Sequence, residues 1–197
     1  MSDTFYAFVL FAIVATLTPG GATTLATASG SQFGFARSIP LMSGIALGLA
    51  ALAASTAVGL ATLIQTVPSV SIGMKVVGSA YLLWLAVRIG NAGTPSVGSA
   101  ANTPIGFAGG LLLLLINPKG WTMAFGAAAS YSALAASPLM LALIMGSTFG
   151  LASAASLSLW CSGGVLLAKL LRTDRQWRVL NMTLGALLAI SVVPIWL

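Results

Sequence analysis

Long apolar runs follow one another along the chain, separated by short polar or Pro/Gly-rich stretches. They are Thr4 to about Ala28, Ile39 to Gln65, Ile72 to Arg88, Pro104 to Leu134, Pro138 to Leu167 and Val179 to Leu197. At 1.5 Å rise per residue, about 20 residues cross the roughly 30 Å hydrocarbon core of a bilayer. The pattern therefore predicts an all-α integral membrane protein with six transmembrane helices. Between the runs it predicts turns at Ser29-Gly30-Ser31-Gln32 with Arg37 and at Thr66–Ser71 with Pro68. A flexible linker is expected over Ala92–Thr103, and a charged loop over Lys169–Arg178.

Two runs are flawed. In the fourth, Asn117-Pro118-Lys119 puts a proline and a charge near mid-membrane, where a lysine costs about 2.5–3.5 kcal/mol unless it faces protein or water. One reading ends the helix at Asn117 and lets Lys119 snorkel to the surface. However, Ile105 to Ile116 would then span only about 18 Å, and Trp121, Met123 and Phe125 continue the apolar run. The preferred reading is a broken helix, because Asn before Pro is an N-cap and first-position signature. In the first run, Thr18-Pro19-Gly20-Gly21 has the same character, with Thr18 as N-cap and glycines that admit close approach; a plain proline kink is its alternative.

The halves match. Residues 1–91 and 104–197 flank the linker 92–103 within a single transmembrane domain, and each half has a proline break in its first helix and a glycine pair in its second. The spacing is similar, Pro19 to Gly44 against Pro118 to Gly146. Three helices per copy would invert the second copy, giving two inverted three-helix repeats with helices 1 and 4 broken at Pro19 and Pro118. Gly44/Gly48 and Gly146/Gly150 are read as helix-packing faces, serving one subunit or a homodimer equally well. The fifth run is longer than a bilayer requires, so a tilt or a bend near Gly163-Gly164 is expected.

Composition excludes several classes. With 58% hydrophobic and 5% charged residues, neither a soluble nor a disordered chain fits. The net charge of +6 would suggest nucleic acid in a soluble protein. Here the basic residues sit at helix ends, and no nucleic-acid partner is implied. Placing Arg37, Arg88, Lys169, Arg172, Arg175 and Arg178 in the cytoplasm puts both termini in the periplasm; the last four also suit contact with anionic lipid. Met1-Ser-Asp3 is no basic leader, so the first helix is expected to be retained. One cysteine, two acids and no histidine leave no metal site and no catalytic set, and an enzyme is not expected.

Broken helices in corresponding halves point to a mid-membrane binding site. Helix N-terminal amides at each break, with Lys119, favour a carboxylate. The substrate-binding residues are thus Thr18, Pro19, Gly20, Gly21, Asn117, Pro118 and Lys119. Thr16, Thr23 and Thr24 are candidate lining, as are Tyr81 and Trp84, which serve equally as packing or interface anchors.

Thr18-Pro19-Gly20, the glycine-rich second helix, Lys75-Val-Val-Gly78-Ser-Ala-Tyr81-Leu-Leu-Trp-Leu and Asn117-Pro118-Lys119-Gly120 together resemble the LysE/RhtB family of bacterial amino-acid exporters. The resemblance covers nearly the whole chain. It implies a six-helix inner-membrane exporter of amino acids such as lysine, homoserine, threonine or cysteine, driven by the proton gradient and needing no cofactor. The family's Thr-Pro-Gly-Pro-Asp/Asn pattern carries Gly21 and Ala22 here. No span then holds a carboxylate, so either Lys119 titrates or protons are not coupled, and the cargo can differ from that of typical members. The expected function is secondary-active export of amino acids or related small carboxylates. A non-transporting membrane partner or sensor and a passive channel are the alternatives.

Overall fold

The computed structural model describes residues 2–59, 68–91, 94 and 103–193. Among them the regular structure is helical: α1 Ser2–Leu17, α2 Gly21–Phe33, α3 Phe35–Ala57, α4 Pro68–Gly90, α5 Phe107–Leu115, α6 Pro118–Ser130, α7 Pro138–Leu170 and α8 Asp174–Ile190, with a 3-10 turn at Ser132–Leu134. α3 and α7 are each long and apolar enough to cross a membrane. The pairs α1/α2 and α5/α6 each pass as one span bent at a break, by 56° and 63° respectively, giving two to four spans by length and composition.

Several boundaries differ from the sequence reading, for local reasons. The polar quartet Ser29–Gln32 is not a turn but the last part of α2. Its side chains find partners inside: Ser31 Oγ donates to the Ala28 carbonyl, Ser29 and Ser38 share a 2.7 Å hydrogen bond, and Gln32 Nε2 donates to Asn181 Oδ1. The turn is reduced to Gly34, whose φ of 80° favours glycine. α8 begins inside the charged loop, because Thr173 and Gln176 cap each other's backbone at its N-terminus. α7 runs unbroken through Gly163-Gly164. Pro68–Ser71 belong to α4; Thr66 and Val67, residues 60–65, most of the linker and 194–197 lie outside the described residues.

α3 and α7 pack along each other at the centre. Each bent pair lies on the long helix of the opposite half, α1/α2 on α7 and α5/α6 on α3, and α4 pairs with α8. Glycines set these approaches. A methyl group at Gly44 would fall on the Phe107 carbonyl and one at Gly110 on the Leu41 carbonyl; Gly30 and Gly164 face the Cys161 and Thr27 carbonyls in the same reciprocal way. Gly48 lies against Leu111 and Leu114, and Gly146 and Gly150 against Ala50. In lipid, where apolar burial gives little drive between helices, such backbone approach supplies the packing.

The outer surface is apolar, with Leu10, Leu47, Leu139, Leu151, Leu159 and Met182 all exposed. Lipid rather than water is the solvent such a surface fits. Inside, no buried side-chain N or O among the described residues lacks a hydrogen-bond partner, as a low-dielectric interior demands.

Candidate functional site

The two breaks meet. α1 ends at Leu17, and Thr18 does not cap α2: its hydroxyl turns back to the Val14 carbonyl at 2.7 Å. That corrects the expected cap, because the nearer acceptor belongs to the helix just completed. The N-cap of α2 is Gly20, in extended backbone, and Thr23 serves it from within the first turn. Thr23 Oγ1 accepts from the Gly20 amide at 2.8 Å and donates to the Gly20 carbonyl at 2.9 Å.

At the second break the sequence signature is used as expected. Pro118 opens α6, and Asn117 Oδ1 accepts the Lys119 amide at 3.1 Å. The Asn117 carbonyl takes the Gly120 amide at 3.0 Å. Proline has no amide, so the first-turn donors of α6 are used up locally. The expectation that each break offers free amides is not met at α6; at α2 the first turn begins at Gly21, and the Gly20 amide is held by Thr23.

What α6 contributes is its lysine. Lys119 Nζ crosses to the first break and donates to the Thr18 carbonyl at 2.6 Å. A Cβ placed on Gly20 would lie 3.3 Å from that ammonium. The neighbouring carbonyls at the end of α1 are also met from the other half: Ser156 Oγ donates to Thr16 O at 2.8 Å and Trp160 Nε1 to Leu17 O at 3.2 Å, both from α7. Three consecutive carbonyls of a helix C-terminus, its negative end, thus face donors from α6 and α7.

Two cavities flank Lys119. One of about 260 Å³ is lined by Pro19, Gly20, Gly21, Asn117, Pro118 and Lys119, with Thr122 and Ser191. A smaller one of about 40 Å³ adds Thr16, Ala22, Thr23 and Ser153 to the same core. Neither lining contains an acid, and among the described residues no three His, Cys, Asp or Glu side chains gather. All seven substrate-site residues named from sequence therefore come together, Thr18 through its carbonyl.

The candidate lining residues divide. Thr16 and Thr23 reach the smaller cavity, although the Thr16 hydroxyl is turned onto the Ala12 and Ile13 carbonyls of its own helix. Thr24 is buried in α2 and lines neither cavity. Tyr81 stacks on Trp84 with centroids 5.8 Å apart, and Trp84 points outward under the Arg88 guanidinium; neither reaches the breaks.

A family model, LysE type translocator, matches residues 13–192, which includes both breaks. The chain belongs to the LysE-type translocator family. That family is one of membrane transporters, not enzymes. Among its relatives, a cysteine/O-acetylserine efflux protein of Klebsiella pneumoniae is 29% identical over 57% of each chain. An uncharacterized membrane protein of Pseudomonas aeruginosa is 32% identical over 58% of this chain and 57% of its own. This translocator thus matches a little over half the length of those two relatives. The cysteine/O-acetylserine efflux protein of Escherichia coli K12 is 28% identical over 96% of both. No solved structure matches this LysE-type chain.

Sequence reasoning missed Ser156, Trp160 and Ser191 in this translocator's site. Each lies in an apolar run with no local flaw, and only the tertiary packing brings it to the breaks.

Proposed function

We propose that this translocator is a secondary-active exporter of small neutral amino acids across the bacterial inner membrane. Cysteine and O-acetylserine, the substrates in its relatives' names, are the first candidates. The observation that carries the reading is the Lys119 ammonium, held between the two breaks beside a cavity that both of them line.

A carboxylate entering that cavity meets a full positive charge and the first-turn amides of α2, in a setting where such bonds are strong. To bind it, Lys119 gives up the Thr18 carbonyl, so occupancy releases a tie between the halves. Because the lining holds no acid, a substrate with a second positive charge finds no partner for it. This favours cysteine or O-acetylserine over lysine. Proton coupling, if Lys119 is its carrier, would pass through the same group.

Six spans in two inverted repeats fit the exchange in which each bent pair packs on the other half's long helix. α4 has 23 residues, about 35 Å, enough to span. The basic residues put Arg37, Arg88 and the loop before α8 in the cytoplasm and both termini in the periplasm.

The test is counterflow of radiolabelled amino acids in proteoliposomes at two imposed pH gradients. Saturable exchange of O-acetylserine or serine that is lost in Lys119→Met supports the reading, and a gradient effect adds proton coupling. Linear, unsaturable flux would make it a channel. No flux of any amino acid would sink it.

A further inference from the structure

A separate cavity of about 210 Å³ opens between α2, α3, α4 and the segment leading into α5. Its polar lining is Ser29, Gln32, Arg88, Asn91 and Thr103. Among the described residues Arg88 is the one cation lining it, and the chain's two acids are not in that lining: Asp174 accepts from Thr94 at 2.6 Å and Asp3 stands in the first turn of α1.

Three helices connect this cavity to the breaks. On α2, Gly21 lines the site at the breaks, and Leu25, Ala28, Ser29 and Gln32 of the same face line the second cavity. That is a run of about 16 Å along one helix stripe. On α4, Leu82 lies against Gly21, and Leu85, Arg88 and Ile89 follow on toward the second cavity. α8 runs the opposite way, with Leu188 against Gly21 and Asn181 bonded to Gln32. All three registers agree. Between the cavities stand Leu25, Leu82, Leu85 and Leu188, each 3% exposed or less, with Leu25 and Leu85 also in the wall of the second cavity.

We propose that the second cavity is a carboxylate-binding subsite for the transported amino acid, with Arg88 receiving the carboxylate and the four leucines forming a closed apolar neck before the breaks. Arg88 is exposed at the edge of this cavity, its guanidinium 5.5 Å from the outward-facing Trp84 ring, and its planar fork suits a carboxylate. A zwitterion does not cross an apolar neck without large desolvation. The neck therefore holds a molecule at Arg88 until the helices part. This assignment rests on the amino-acid reading of the site at the breaks.

The experiment places a single reactive thiol in the cavity, Thr103→Cys in a Cys161→Ser background, and follows its labelling by a membrane-impermeant maleimide as O-acetylserine is added. Slowed labelling is expected, and it persists when Lys119→Met is added, because the two sites are separate. Arg88→Gln raises the half-protecting concentration roughly tenfold, as loss of a charge-assisted pair does, and Arg88→Lys restores part of it. Unliganded labelling at the unsubstituted rate in the Arg88 variants excludes misfolding as the cause. Protection that vanishes with Lys119→Met, or is indifferent to Arg88→Gln, overturns the subsite. Absence of protection beside intact counterflow overturns it too and leaves the site at the breaks standing. If wild-type counterflow is also absent, it is the amino-acid reading that fails.

Discussion

The two helix breaks have the same outline and opposite dependence. The second supplies its own chemistry: Asn117 caps α6, Trp121 Nε1 returns to the Leu115 carbonyl at 2.7 Å, and Thr122 bonds to the Pro118 carbonyl. The first leaves the end of α1 to be met by Lys119, Ser156 and Trp160 from the other half. A self-capped break keeps its shape wherever its neighbours go, whereas a break capped from outside registers every shift of α6 and α7. Under the proposed function, this asymmetry would make the first break the sensing partner and the second the carrier of the charge it senses.

The largest effect should come from the residue that joins them. Lys119→Met removes the charge-assisted bond and should lower O-acetylserine affinity roughly a hundredfold, from the ~3 kcal/mol such a bond can be worth. Its thermal unfolding temperature in detergent should fall no more than that of Ser156→Ala, since each removes one hydrogen bond to the end of α1. Next, Ser156→Ala leaves the buried Thr16 carbonyl short of a donor across a helix interface. It should destabilise by about 0.5–2 kcal/mol and slow transport, because the sensing end loosens.

Asn117→Ala should cost about 1 kcal/mol by loss of an N-cap. Its mark should be local fraying at α6, read as faster amide exchange at Lys119 and Gly120, with α1 unaffected. Gly20→Ala sharpens the comparison from the other side. Its backbone is extended, with φ of −177°, so alanine is conformationally acceptable. The three atoms nearest the new methyl group all belong to the Lys119 side chain, Nζ among them at 3.3 Å. Transport should fall several-fold with unchanged unfolding temperature; equal loss of both would show the break to be merely structural.

These contrasts also explain what could be read from sequence. Asn117-Pro118 was legible because capping is settled within three residues. Thr18-Pro19 was legible as a break but not in its wiring, since a threonine after a helix can bond backward as easily as forward. The charged loop concealed the Thr173/Gln176 capping pair that starts α8, and the Ser29–Gln32 quartet looked like a turn because its partners, Ser38 and Asn181, are distant in sequence or lie across a helix turn. The crossing of Lys119 to Thr18 spans the two halves, and no local pattern encodes it.

The most direct test of carboxylate recognition by Lys119 is competition binding to the purified protein with radiolabelled O-acetylserine. Two fragments serve as competitors: 3-acetoxypropanoate, which lacks the amine, and 2-aminoethyl acetate, which lacks the carboxylate. With Arg88→Gln present throughout to silence the second cavity, the account predicts that the acid displaces the label, that the amine does not, and that adding Lys119→Met removes the acid's advantage. Displacement by the amine alone, or an acid advantage that survives Lys119→Met, would contradict it.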